Sequence, residues 1–150
     1  MNVAGLDENF KFVQNRQMDS RNYTDQINDL FRHLLKIHKT LLDFQKLVME
    51  SLEQKRYSPY ETLNLAMNHP DFEWLRKISR VMAEMDESTS DKKNLPDEKA
   101  LKDFARRLND IFSESNPDMD FKNRFKIAVD RDAKLSGQVS ELRAELAKLV

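Results

Sequence analysis

The stretch that decides the fold is residues 24–56, TDQINDLFRHLLKIHKTLLDFQKLVMESLEQKR. Apolar side chains recur in it every three or four residues, which is the period of one face of an α-helix. These side chains are Ile27, Leu30, Phe31, Leu34, Leu35, Leu41, Leu42, Val48, Met49 and Leu52. The stretch therefore predicts one amphipathic helix, about 50 Å long at about 1.5 Å per residue.

The composition of the whole chain agrees with a helical fold. A chain of 150 residues fits one domain, and two glycines and four prolines are too few for a fold built on turns and hairpins. We therefore predict an all-α helical bundle of four to five helices, with long first and last helices. Residues 21–150 are expected to form this single domain, and residues 1–20 an N-terminal arm or short helix.

Charge and cysteine content limit the classes of function. Lys and Arg number 25 against 26 Asp and Glu, so no strong field favours nucleic acid or an anionic membrane as a partner. The chain has no cysteine, and no signal peptide or membrane-spanning segment is visible, which predicts a soluble, cytoplasmic protein. Residues 121–126, FKNRFK, mix basic and aromatic side chains, but a solvated face over buried aromatics is favoured over a nucleic-acid site.

The middle of the chain predicts three shorter helices. Ser58, Pro59 and Glu61 are typical of a helix start, and the helix should end before Pro70. A third helix is expected from about Asp71 to Glu87, followed by an exposed connection over residues 88–95. The apolar face of this third helix contains Trp74, Leu75, Ile78, Val81, Met82 and Met85. A fourth helix is expected to begin near Pro96 and to end before Asn116-Pro117. Its apolar face contains Leu101, Phe104, Ala105, Leu108, Ile111 and Phe112.

The last segment carries a heptad pattern from about Asp118 to Leu149. Its seam positions are Phe121, Phe125, Ala128, Asp132, Leu135, Val139, Leu142, Leu146 and Leu149. One interpretation is a long helix that packs antiparallel to the first helix inside the bundle. The other is a helix that binds a second chain. The candidate partner-binding residues are Leu135, Val139, Leu142, Leu146 and Leu149.

His38 lies at the centre of the apolar face of the first helix, nearly in line with Gln45. A buried imidazole requires hydrogen-bonding partners. Ser79 and Asp86 of the third helix, beside Trp74, are the expected suppliers. The favoured interpretation of this set is a buried polar network that fixes the packing of two helices, and the alternative is a ligand pocket or catalytic site.

Metal and cofactor chemistry find little support in the sequence. None of His33, His38 and His69 has a glutamate three residues earlier, as di-iron bundles require. Phosphate-binding loops need more glycine than Gly5 and Gly137 can supply. The sequence therefore predicts no metal, no cofactor and no catalytic residue.

Two segments resemble part of a known group of proteins. Residues 34–43, LLKIHKTLLD, and residues 69–76, HPDFEWLR, together with Ser79 and Asp86, are similar to a group of small uncharacterised bacterial all-helical proteins. The similarity covers residues 34–87. It implies a helical fold and a bacterial, cytosolic origin, and the group has no assigned activity that could be carried over.

These observations favour a non-enzymatic protein-interaction or scaffolding bundle. It would self-associate as a homodimer, or bind a partner helix, through its C-terminal helix. The alternative is a small enzyme or ligand-binding bundle with its pocket around His38, Trp74, Ser79 and Asp86.

Overall fold

The computed structural model describes the backbone of residues 3–149 and the side chains of residues 22–149. The backbone of residues 3–20, for which an arm or short helix was expected, is helical, while the side chains of residues 1–21 lie outside the described part. The part described contains six α-helices, one 3-10 turn and no strand, which confirms the all-α bundle. The helices are α1 (Val3–Glu53), α2 (Pro59–Asn68), α3 (Glu73–Ser90), α4 (Glu98–Phe112), α5 (Met119–Arg131) and α6 (Ala133–Ala147), and the 3-10 turn is Pro70–Phe72.

Helix α1 is the centre of the bundle, and α3 and α6 pack along it more extensively than any other elements. Two residues predicted on its apolar face are exposed, Leu35 at 47% and Leu52 at 77%, because Leu35 turns away from the buried side and Leu52 lies in the last turn of α1. The central side chains of the face are enclosed, at most 1% exposed. They are Ile27, Leu30, Leu34, Ile37 and Leu41. Each such side chain stabilises the fold by about 1.5–3 kcal/mol through burial. Helix α1 ends where Gln54 takes a left-handed conformation, with φ of 52°.

The shorter helices begin at side-chain caps. Ser58 accepts a hydrogen bond from the backbone N–H of Glu61 at 3.1 Å, and Asp97 accepts one from Ala100 at 2.9 Å. All six apolar residues predicted for the third helix are buried in α3. In α4 the predicted face is also buried, except that Ile111 is half-buried. The expected exposed connection is shorter than predicted, because α3 continues to Ser90.

An aromatic cluster joins α3, α4 and α5. The rings of Phe121 and Phe125 stack with centroids 5.5 Å apart, and the Trp74 ring lies 5.8 Å from that of Phe121. Phe112 contacts both phenylalanines, with centroids 6.2 and 5.3 Å away. The two phenylalanines of the basic and aromatic stretch are therefore core residues.

The single long helix predicted for residues 118–149 is wrong. Asp132 interrupts it with φ of −127° and ψ of 102°, and separates α5 from α6. The Asp132 carboxylate accepts hydrogen bonds from the backbone N–H groups of Lys134 and Leu135, at 3.0 and 3.2 Å. An aspartate at a seam position therefore caps a new helix instead of being buried in a continuous one, and this division raises the number of helices to six.

Candidate functional site

The predicted partner-binding residues of the C-terminal seam lie inside the bundle. Leu135 and Leu142 are 0% exposed, Leu146 is 1% exposed and Val139 is 3% exposed, while Leu149 is half-buried. Helix α6 presents them to α1, α4 and α5. The structure has the first arrangement considered for the seam, packing within the bundle. A partner could therefore reach these side chains only if α6 detached from the bundle.

A hydrogen bond beside the seam also joins α1 to α6. The hydroxyl of Thr40 on α1 donates to the side-chain oxygen of Gln138 on α6 at 2.8 Å, and Thr40 is buried. A satisfied polar pair in a mostly apolar contact favours one register of the two helices.

The second candidate site, around His38, is dispersed in the structure. His38 is half-buried, and this burial lowers the pKa of its imidazole. The Ser79 hydroxyl donates to the carbonyl oxygens of Leu75 and Arg76 in its own helix, both at 3.3 Å. Asp86 is exposed. The expected hydrogen-bonded set of His38, Ser79 and Asp86 is therefore not formed among the described side chains, because Ser79 is satisfied by its own backbone.

The polar contact that does join α1 to α3 uses a residue that the sequence interpretation did not select. The indole Nε1 of Trp74 donates to Oε1 of Gln45 at 3.1 Å, and both residues are buried. Gln45 lies two turns beyond His38 on the same face of α1, so its position on the helix was the available signal. Its amide satisfies the one polar atom of the Trp74 side chain.

Among the described residues, His38 belongs neither to a metal-binding cluster nor to the three clefts given below. No group of three His, Asp or Glu side chains within residues 22–149 is placed to hold a metal ion. The open clefts on the surface of the described part include three of about 330–420 Å³. The one of about 420 Å³ is at the end of α1, where Leu47, Glu50 and Lys55 contribute to its walls.

Helix α2 differs from the other helices because none of its residues is buried. Its inner face, with Leu65 and Ala66, packs on the core as half-buried side chains. Arg76 of α3 fixes its C-terminal end by donating to the carbonyl oxygens of Ala66 at 3.3 Å and His69 at 2.7 Å. These bonds satisfy carbonyls that a helix end leaves free, so α2 is held in one position on the bundle.

The outer face of α2 is apolar and exposed. Tyr60, Leu63 and Met67 are 80%, 58% and 64% exposed. They are three and four residues apart, so they form one stripe along the helix, on the side opposite Leu65. We call these three residues the docking face. The sequence contains this spacing, but only the structure reveals that nothing in the described part of the chain covers it.

Opposite charges lie just beyond the two ends of the docking face. Lys55 and Arg56 precede α2, whereas Asp71 and Glu73 follow it. Lys55 pairs with Glu61 in the first turn of α2 at 3.3 Å. Glu61 is the one charged residue within α2. At the first end the two cations outnumber Glu61, and at the other end the two carboxylates outnumber the Arg76 guanidinium. The docking face is therefore an uncharged stripe with a basic end and an acidic end.

The described residues form a helical bundle in which the outer face of α2 is apolar and open to solvent. Comparison of the chain with protein-family models, with curated proteins and with solved structures gave no match. In the part of the chain that the structure describes, no helix has the length and apolarity needed to cross a membrane.

Proposed function

We propose that this chain is a non-enzymatic protein-interaction module that self-associates, and that a second copy covers the docking face of Tyr60, Leu63 and Met67. The predicted C-terminal seam does not serve this purpose in the folded chain, because it lies in the core. The absence of cysteine supports the cytoplasm as the place where the module acts.

The observation that carries the proposal is that α2 is apolar on two opposite faces. A helix at the surface of a bundle needs one apolar face, and a helix that is apolar all round is typically covered on both sides. The inner face of α2 already packs on the core through Leu65 and Ala66. Contact with another protein is the arrangement that would remove the second face from water.

A second copy fits the docking face for two reasons. The net charge of −1 gives two copies little electrostatic cause to repel each other. In addition, a stripe with a basic end and an acidic end is complementary to the same stripe turned by half a rotation. Tyrosine and methionine are also enriched in protein interfaces relative to other surfaces.

The small size of the docking face sets the expected strength of association. Three large side chains fall short of the roughly 800 Å² per partner that a stable complex buries. The dimer should therefore be weak and should dissociate on dilution, while the fold of each chain stays intact.

Light scattering coupled to size exclusion, run over a wide range of concentration, tests the proposal. We expect the full chain to increase from monomer to dimer mass as its concentration rises. Leu63→Ser should remain a monomer over the same range, because it removes the central apolar side chain of the docking face. Its helical circular dichroism should be unchanged, since Leu63 is 58% exposed.

Ile127→Ser on α5 is the matched control, because Ile127 is 48% exposed and lies outside the docking face. This variant should dimerise as the unmodified chain does. A monomer at every concentration would contradict self-association. Equal dimerisation of Leu63→Ser and Ile127→Ser would instead exclude the docking face as the contact surface.

A further inference from the structure

We propose that the two copies pair α2 against α2 in antiparallel orientation, about a two-fold axis beside Leu63. Tyr60 of one copy then lies against Met67 of the other. This inference rests on the proposed self-association and specifies its geometry.

The spacing of the docking face favours this register. Leu63 is three residues from Tyr60 and four from Met67, which is about 4.5 and 6 Å along the helix axis. Rotation by half a turn about an axis beside Leu63 therefore superimposes the position of Tyr60 closely on that of Met67. The central contact joins the two Leu63 side chains.

The side chains brought together by this register are chemically suited to each other. At each end of the stripe an aromatic ring would meet a methionine thioether, a contact that is favourable beyond simple burial. Met67 is flexible enough to adapt to the ring, and the Tyr60 hydroxyl can remain in water at the edge of the contact.

The charges at the ends of α2 favour antiparallel over parallel pairing. Antiparallel pairing brings the basic end, with Arg56, beside the acidic end of the other copy, with Asp71 and Glu73. It also places opposite ends of the two helix dipoles side by side. Parallel pairing would instead bring like charges together at both ends, which is unfavourable.

Disulfide trapping can measure the orientation directly, because the chain contains no cysteine. Tyr60→Cys and Met67→Cys chains are prepared separately, and each is oxidised alone and after mixing. Antiparallel pairing predicts a disulfide-linked dimer in the mixture and little in either chain alone, since a bridge needs Cα atoms within about 7 Å. Ile127→Cys measures the background from random collision.

Each alternative outcome has a distinct meaning. Linked dimers in each chain alone, with none added by mixing, would overturn the antiparallel arrangement in favour of a parallel one. Linkage no greater than that of Ile127→Cys, in a chain that light scattering finds dimeric, would overturn the pairing but leave self-association in place. If the unmodified chain is monomeric at every concentration, the proposed function and this inference fail together.

A charge exchange provides a second measurement that leaves the apolar stripe intact. Arg56→Asp and Asp71→Arg should each raise the dissociation constant by about twofold to tenfold, as expected for exposed ion pairs. The chain with both substitutions should recover most of the original affinity. Failure to recover, with folding preserved in all three chains, would contradict the contact between these two ends.

Discussion

Helices α6 and α2 both carry apolar side chains at helical spacing, yet the fold treats them in opposite ways. Helix α6 buries four seam residues to 3% exposure or less, whereas α2 buries none of its residues. The leucines Leu142 and Leu63 illustrate the contrast, with exposures of 0% and 58%. The chemistry of the two side chains is the same, and the difference lies in what stands opposite each helix.

The contrast between α6 and α2 limits what an apolar pattern alone can predict. An apolar stripe predicts that a helix face will be covered, but it does not identify the surface that covers it. For α6 that surface belongs to the same chain and is largely α1. For α2 the bundle covers the inner face, and we propose a second copy for the outer one.

The largest predicted effect compares the two leucines directly. Leu142→Ala should lower the free energy of unfolding by about 2–5 kcal/mol, because it leaves a cavity in the core. Leu63→Ala should change the stability of the monomer by no more than about 0.5 kcal/mol, as is usual for an exposed position. Urea unfolding at a concentration low enough to keep the chain monomeric measures both values.

Either of two results would contradict this contrast between α6 and α2. A small loss of stability in Leu142→Ala would mean that α6 is not an integral part of the core. A large loss in Leu63→Ala would mean that the outer face of α2 is covered within the monomer, and the proposed docking face would then be wrong.

The sequence predicted the helices that depend on local signals. Caps such as Ser58 and breaks such as Pro70 act within a few residues, so the bounds of α2 and the start of α3 could be inferred closely. The apolar face of α3 was predicted completely, because burial follows the helical period. The interruption at Asp132 was missed, since a heptad can tolerate one polar seam residue and the same residue can also cap a helix.

The candidate site was harder to predict because it depends on contacts between distant residues. The spacing of Tyr60, Leu63 and Met67 is equally compatible with a core stripe, and exposure is decided by how the rest of the chain packs. Similarly, a position near the contact between α1 and α3 did not determine which hydrogen-bonding partner a side chain would find. Gln45 bonds Trp74, while Ser79 bonds its own helix.

A second prediction compares the caps of the same two helices. Asp132→Ala should lower the free energy of unfolding by about 1–2 kcal/mol, because two backbone N–H groups lose their acceptor at the start of a helix that belongs to the core. Ser58→Ala removes a single capping bond from α2 and should cost about 0.5–1 kcal/mol. Urea unfolding of the two variants side by side shows which of them loses more free energy of unfolding.

Asparagine at the Asp132 position is the control, since it can still accept the capping hydrogen bonds and should retain most of the stability. Equal losses for the two alanine variants would weaken the distinction between α6 as a core helix and α2 as a helix attached to the surface.

The smallest predicted effect concerns pH. It tests whether His38 is shielded from water as the residues that face α6 are. Burial lowers the pKa of His38 below its value of about 6.5 in the unfolded chain, so the unfolded state binds more protons just below that pH. The contribution of His38 to stability is therefore present above about pH 6.5 and is lost as the pH falls toward the folded pKa.

His38→Leu should unfold with a weaker dependence on pH over this window, measured by thermal unfolding in matched buffers. His38→Asn, which is polar but does not titrate, should show the same weakening, and it separates loss of protonation from gain of apolar contact. If both variants keep the full pH dependence of the unmodified chain, His38 is not desolvated in the folded state, and this part of α1 is more open to water than the residues that face α6.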